Sequence, residues 1–498
     1  MERYKLLLRL LCLLFAVTLT GCRSNDKKTV NGREDLQKAV IGVQLGTTSD
    51  LLATEQEKLG KGAHVERFTK SADAIQALTQ GKIDCMVEDD QPAKAFVKTN
   101  PALTVLPGEL GHSDYAICVA KGNEQLLTRI NGAIDRLKKD GTLDSIMTRH
   151  IDRGINVAYT PREQAENAPV LRFSTNATFP PFDYYDNGKV VGIDTDVANA
   201  ICDQLHCRME MIDMEFDAVI TSVQTGKADA AIAGLTVTED RKKSINFTVP
   251  YSRVRQVIVV NSGRLNEQQG LVEKFKTCFL DGNRYEYIYK GLQNTLVITF
   301  FALLLSLCLG TLVAIIRATH DRNGTLKLPN LLCQLYLTVF RGTPTMVQLL
   351  IIYYVVFASA NVDKIVVASI AFGLNSAAYV SEVIRSGIMS VDRGQMEAGR
   401  SLGLSYTQTL RFVILPQAFK NVLPAIGNEL ITLLKETSIS GYIGLVDLTK
   451  GSDIIRSLTY EAMLPLTMVA LIYLLLVLVL YLGVRRLEAY LRRNERHQ

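Results

Sequence analysis

No stretch of the 498 residues has the glycine-rich form ending in Gly-Lys-Ser or Gly-Lys-Thr that cradles nucleotide phosphates, so the chain cannot hydrolyse ATP alone. The nine cysteines include no CxxC pair. That removes the usual zinc frameworks, and neither a metal nor a cofactor is expected. Excess charge is also scarce: a formal +5 over this length, with no basic patch interleaved with aromatics, argues against nucleic acid as a partner. Low-complexity tracts and internal repeats are missing too.

What is present divides unevenly. The length calls for two or three domains, and 48% hydrophobic residues point to a membrane protein. Up to about residue 285 polar and apolar residues mix as they do in soluble α/β domains, whereas from about 292 to 485 long apolar runs dominate. At the start, Arg3, Lys5 and Arg9 flank an apolar run, 10–19, that is too short to span a membrane. Residues 1–22 therefore read as an export signal. Cys12, Cys308 and Cys333 lie in apolar segments and read as small core residues. Cys202 and Cys207 are either a local disulfide or two free thiols.

Short apolar strands alternate with helical patterns through 30–151, as at 40–44 and 83–87, and again through 170–262. A polar linker, 152–169, containing Pro161 and Pro169, joins the two segments, and 263–291 leads to a helical membrane domain over 292–486 with a tail at 487–498. Five spans are expected, at 294–316, 338–359, 365–384, 422–434 and 464–484. Arg317, Arg322 and Lys327 place the first loop in the cytoplasm, which leaves the preceding domain outside. Five spans then bring the C-terminus inside, in agreement with Arg485, Arg486, Arg492, Arg493 and Arg496. Asp194 and Asp196 are close enough to suggest acid–base work, but they precede a helical pattern. Capping is the expected role, and no catalytic residue is assigned.

Several segments carry resemblances. The ending Leu19-Thr20-Gly21-Cys22 resembles the lipobox of bacterial lipoproteins, which implies lipid on Cys22; plain cleavage or an uncleaved anchor are the other outcomes. The run from Leu171 to Phe182, with Gly192-Ile193-Asp194-Thr195-Asp196 and Gly234-Leu235-Thr236 through Arg241, resembles the first half of polar amino-acid binding proteins, the two-lobed Venus-flytrap receptors of ABC importers. The run from Gly42 to Thr48 and Gly141-Thr142-Leu143-Asp144 resemble the second half of those receptors, yet come first. A single circularly permuted domain explains that order, with the new break at the hinge after Val260. Two half-domains completed between neighbouring chains would also explain it.

The resemblance implies a ligand site. Arg241 would take an α-carboxylate through paired hydrogen bonds, aided by Thr236 and by backbone N–H groups near Gly234 and Thr48. Asp89 would take the α-ammonium, although Glu88 and Asp90 leave its register open by one residue. Phe179 and Phe216 would sandwich the ligand side chain and Asn176 would face its polar end, a neutral amide that favours a polar uncharged or acidic side chain, glutamine first, over a basic one.

In the membrane half, Glu397-Ala398-Gly399, then Gly403, Val413, Leu415 and Pro416, resemble the EAA loop by which ABC permeases dock a separate ATPase. Gly399 stands where that family usually has alanine, and Val413 where it has isoleucine. Phe340-Arg341-Gly342-Thr343-Pro344 and Gly427-Asn428-Glu429 extend the likeness to polar amino-acid permeases, with Glu429 facing either the pathway or a partner. The implied assembly is a multi-pass permease homodimer in the bacterial cell membrane, carrying two copies of an ATPase chain and an amino-acid ligand. A flytrap-gated channel is the rival reading, but no Thr-Val-Gly-Tyr-Gly filter is present. An exported enzyme lacks any nucleophile–base set.

Overall fold

The computed structural model describes residues 29–151, 159–262, 270–358, 360 and 362–493. The expected export signal, with Cys22, and Arg496 lie outside the described residues. The chain forms two compact units, one of Met1–His112 with Arg255–Asn266 and one of Ser113–Val254 with Glu267–Gln498.

In the first unit the sheet runs β2 (His64–Phe68), β1 (Val40–Gln44), β3 (Cys85–Asp89), β14 (Ser252–Asn261), β4 (Leu103–Val105), and β5 (Gly111–Tyr115) pairs with β14. β1, β2 and β3 are parallel, and β14 is antiparallel to its neighbours. Helices α1 (Thr48–Lys58), α2 (Ser71–Thr79) and α3 (Asp90–Thr99) supply the crossovers that parallel strands need. Ile41, Val43, Cys85, Val87 and Ile258 are buried together, because β1 and β3 are covered on both faces.

The second unit begins with a sheet in the order β11 (Arg208–Asp213), β7 (Val170–Thr175), β12 (Ala230–Ala231), β6 (Cys118–Ala120), β13 (Ile245–Phe247). Helices α4 (Glu124–Lys139), α5 (Thr142–Ile151) and α6 (Ile193–Leu205) pack Ile130, Ile134, Ile146, Val197 and Ile201 against Phe173. A small sheet of β8 (Thr178–Phe179), β9 (Asp183–Asp186) and β10 (Lys189–Val191) precedes α6, while α7 (Phe216–Gln224) and α8 (Glu239–Lys242) follow β11 and β12.

Each sheet takes strands from both sequence segments: β6 lies between β12 and β13, and β14 between β3 and β4. The permuted domain is thus completed within the chain. Its exit differs from expectation. β14 runs unbroken to Asn261, so the chain leaves from the end of a sheet strand and not at a hinge after Val260.

The helical half opens with α9 (Leu271–Phe275) and buried Cys278 and Phe279, so the expected 263–291 connection is partly packed structure. Next come α10 (Tyr285–Asn323), α11 (Lys327–Gly342), α12 (Thr345–Ile351), α13 (Lys364–Ser390), α14 (Arg393–Ser401), α15 (Tyr406–Thr409), α16 (Leu415–Glu436), α17 (Leu448–Thr459) and α18 (Met463–Arg493). Among the described residues three helices, α10, α13 and α18, are long and apolar enough to cross a membrane, or four spans if a bent pair counts as one, against the five expected. The bent pair is the expected second span. It starts at Lys327 and turns by 109° between Gly342 and Thr345, where Thr343 is extended ahead of Pro344, as a residue before proline prefers. α16 fails the apolar criterion because it carries Gln417, Lys420, Asn421, Asn428 and Glu429. Arg317 and Arg322 also depart from expectation. Both belong to α10: Arg317 pairs with Glu382, and Arg322 donates to the Ile388 carbonyl at 2.7 Å.

Candidate functional site

Within the second unit the structure gathers Arg241, Phe216, Thr236, Gly234 and Phe179. α8 is a single turn whose N-cap, Thr238, accepts the Arg241 N–H. The guanidinium turns back along the chain, where it donates to the Thr236 carbonyl at 2.9 Å and lies 5.8 Å from the centre of the Phe216 ring. Burial works against the charge and lowers the Arg241 pKa from its ordinary value. A half-buried guanidinium on an aromatic face suits a planar anion. Phe216 is in place because Glu215 starts α7 immediately before it. Phe179 stacks on Phe182 at 5.7 Å, and Gly234 has the positive φ, +56°, that favours glycine, where a Cβ would lie a tight 3.1 Å from both Phe179 and Tyr115.

Two expected contacts are directed inward. The Gly234 N–H donates to Asp194 at 2.7 Å. Asn176 is buried, donating to the Met214 carbonyl at 2.8 Å and accepting the Thr178 hydroxyl at 2.6 Å, so it braces the segment after β11. The two aspartates expected to cap α6 do something else. Gly192 starts that helix without any side-chain cap; Asp194 holds Gly234 and the Tyr251 hydroxyl, and Asp196 holds His150 and the Tyr159 N–H. Both are structural ties between segments far apart in sequence. Cys202 and Cys207 are free thiols, and Cys333 is buried, but Cys308, expected in a core, is exposed on α10.

In the first unit Asp89 ends β3 and accepts from the Gln256 amide of β14. Its neighbours have separate tasks. Glu88 takes the Ser71 hydroxyl at 2.6 Å and the Asp89 N–H at 3.0 Å, and its pKa is pushed up to about 8, by burial first and the Asp89 charge second. Asp90 pairs with Arg255 at 3.2 Å. Thr48, the first residue of α1, has a buried hydroxyl with no hydrogen-bond partner.

In the helical half α14 is an exposed helix. Glu397 and Ala398 face outward while Gly399 is buried against Thr409, where a Cβ would overlap the Thr409 methyl. Gly403, with φ +86°, turns the chain, Ser405 and Gln408 form a reciprocal cap, and Leu415 and Pro416 open α16. Leu402 and Phe412 are exposed beside this turn. Glu429 accepts the Ser376 hydroxyl at 3.0 Å. A cavity of about 630 Å³ is lined by Arg317, Gln334, Arg341, Tyr379 and Glu382.

Sequence reasoning missed Lys450, a lysine in α17 with no exposed side-chain surface, 2.9 Å from Glu215 and 3.7 Å from Asp213. No local pattern marks it, because its partners lie more than two hundred residues away. Among the described residues no group of three or more His, Cys, Asp or Glu side chains is arranged to hold a metal ion.

A two-lobed solute receptor joined to a helical permease in one chain is the class of protein these features define. The model of the bacterial extracellular solute-binding proteins, family 3, matches residues 42–153 and 171–438. The arginine transport system permease protein ArtQ of Bacillus subtilis is 39% identical over 211 residues, 42% of this chain and 94% of that protein. The glutamine transport system permease protein GlnP of Escherichia coli is 34% identical over 204 residues, 40% and 91% of the two chains. A solved amino acid ABC transporter crystallised with histidines shares 39% identity over 43% of this chain and 98% of its own, with a TM-score of 0.39. The chain belongs to family 3 of the bacterial extracellular solute-binding proteins and serves as the binding and permease subunit of an ABC importer.

Proposed function

We propose that the chain captures a polar amino acid outside the bacterial cell membrane and passes it inward through its own helices. In this reading Arg241 takes the α-carboxylate with help from Thr236, and Asp89 takes the α-ammonium. Thr48 supplies a hydroxyl at the start of α1, and Phe179 and Phe216 flank the side chain. Gly234 shapes the site by having no side chain. The carrying observation is the guanidinium of Arg241, held by the Thr236 carbonyl and set over the Phe216 ring. Asn176 is turned toward Met214 and no longer argues for glutamine. The named relatives include arginine and glutamine permeases, so both amino acids head the panel to test.

Energy comes from a separate ATPase, two copies of which engage the exposed Glu397-Ala398-Gly399 helix and the Gly403 turn of a permease homodimer. The turn lies between the C-terminal end of α13 and the N-terminal end of α16. The receptor lobe meets the N-terminal ends of α10 and α13, through Tyr287 and Lys364. That arrangement supports a receptor outside and a coupling turn and C-terminus inside.

The test is calorimetric titration of the whole chain in lipid nanodiscs with a panel of amino acids, beside Arg241→Ala and Arg241→Lys. The intact chain is required because the lobe and the helices share one apolar core. Micromolar or tighter binding of one class, weakened at least ~100-fold in Arg241→Ala and less in Arg241→Lys, is expected. Unchanged binding by Arg241→Ala would remove Arg241 from the site.

A further inference from the structure

The second unit holds a seam between the lobe of residues 113–254 and the helical half that no free receptor would need. Its apolar part is continuous core: Ile212, Met214, Val219 and Val223 of the lobe are buried with Ile298, Leu349, Tyr353 and Tyr354 of the helices. A second cluster joins Ala177 and Tyr185 to Tyr287, Leu448 and Ile454. Surfaces that meet and part are only about as apolar as the rest of a protein's exterior, whereas surfaces that never part resemble a divided core.

The polar part is equally closed. Lys450 lies against Glu215 and Asp213, all three nearly or wholly buried. Burial opposes the Lys450 charge, but the two carboxylates outweigh it and raise its pKa above the usual lysine value. Lys364 donates to the carbonyls of Asp213 at 2.9 Å and Gly444 at 3.1 Å. Gly444, with φ +68°, comes so near that a side chain there would run into the Asp213 carbonyl. Lys227 reaches the carbonyls of Phe357 and Ala360, both at 3.3 Å, and lies 4.5 Å from the centre of the Tyr353 ring. Removing one partner of such a buried set leaves a desolvated charge, which is what makes it specific.

We propose, resting on the importer reading above, that this lobe is a fixed part of the permease: it stays on its seat through the whole transport cycle, held by Lys450. Solute capture then does not include docking, and any movement that loads the receptor belongs to the other unit. The geometry also gives the seat a line to the ligand. The Asp213 carboxylate accepts the Ala177 N–H at 2.8 Å, the Met214 carbonyl holds Asn176, and Glu215 starts the helix that carries Phe216. Residues 213–216 are therefore gripped by Asn176 and Ala177 on one side and by Lys364, Gly444 and Lys450 on the other, with Phe216 next in line.

The test is a reversible lock. Lys227→Cys and Ala360→Cys, in a Cys308→Ser background, are joined by a short bifunctional methanethiosulfonate reagent in the full chain, reconstituted with its ATPase in lipid vesicles. ATP-driven amino-acid uptake by the locked protein is expected within twofold of the same protein after reduction. A tenfold or greater fall on locking, restored by reduction, would show that the lobe leaves its seat and would overturn the proposal. Absence of uptake before locking, by contrast, would count against the importer reading. In parallel, Lys450→Met is expected to speed amide exchange at least tenfold in 213–216 and 448–452 together, and adding Glu215→Gln should reverse part of it. Exchange faster at 448–452 alone, or at neither, would refute the role of Lys450.

Discussion

Replacing Gly399 by alanine tests whether a side chain is tolerated where α14 packs against the turn that follows it. In an isolated helix the change would help, since glycine costs about 1 kcal/mol relative to alanine in a helix interior. Here the new Cβ would overlap the Thr409 methyl and lie 3.0 Å from its hydroxyl oxygen and 3.3 Å from its Cβ. Thr409 is wholly buried and its hydroxyl is tied to the Ser405 carbonyl, so it cannot swing aside freely. Forcing a methyl into filled space costs ~1–3 kcal/mol, which exceeds the propensity gain. The expected net loss is up to ~2 kcal/mol, or up to a ~30-fold rise in local opening. Hydrogen exchange followed by mass spectrometry over 393–409 in the full chain measures it. Thr409→Ser removes the overlapping methyl, so Gly399→Ala with Thr409→Ser should open less than either single variant would predict by addition. Slower exchange in Gly399→Ala alone, or strict additivity in the pair, would refute the account.

Two further outcomes follow from the geometry. Glu88 has a native pKa raised to about 8 from 4.5, so the folded state binds a proton the unfolded state has released between those values, and stability must fall as pH rises through that window. Glu88→Gln should flatten the fall, by up to ~1.4 kcal/mol per pH unit, in denaturant titrations of the full chain from pH 5 to 8; an unchanged slope would rule Glu88 out as its source. A Cβ at Gly427 would lie 2.5 Å and 2.7 Å from the two methyls of Val484, so Gly427→Ala should lower the thermal midpoint in detergent and Val484→Ala should restore most of it.

The α/β receptor and the helical half were both legible in the sequence, because period and apolar run length report directly on which solvent each segment faces. The permuted order was legible as well, since short motifs kept their local form. Positions fixed by distant partners were harder to read. Asp194 and Asp196 have the spacing of helix caps, yet tertiary partners at Gly234, Tyr251, His150 and Tyr159 claim them. Asn176 has the chemistry of a ligand contact, but the Met214 carbonyl is closer to hand. α16 was harder still to delimit, because a helix that keeps Glu429 against Ser376 inside a bundle need not be uniformly apolar. Arg317 was misplaced because a charge beside an apolar run looks the same in a loop as in a helix where Glu382 answers it.

The interleaving of strands sets an order in time as well as in space. β3 is made early, but its antiparallel partner β14 follows only after more than 160 residues, with Asp89 and Gln256 separated by 167 positions. β6 likewise waits for β12 and β13. Neither sheet can close while the chain is half delivered, and contacts of such long sequence separation form slowly. Open strand edges persist until β14 arrives, just ahead of the first long apolar helix. The receptor therefore finishes folding at about the moment its own membrane helices begin to be made, so that a chain stalled before residue 252 would present an unpaired sheet as a ready target for proteolysis.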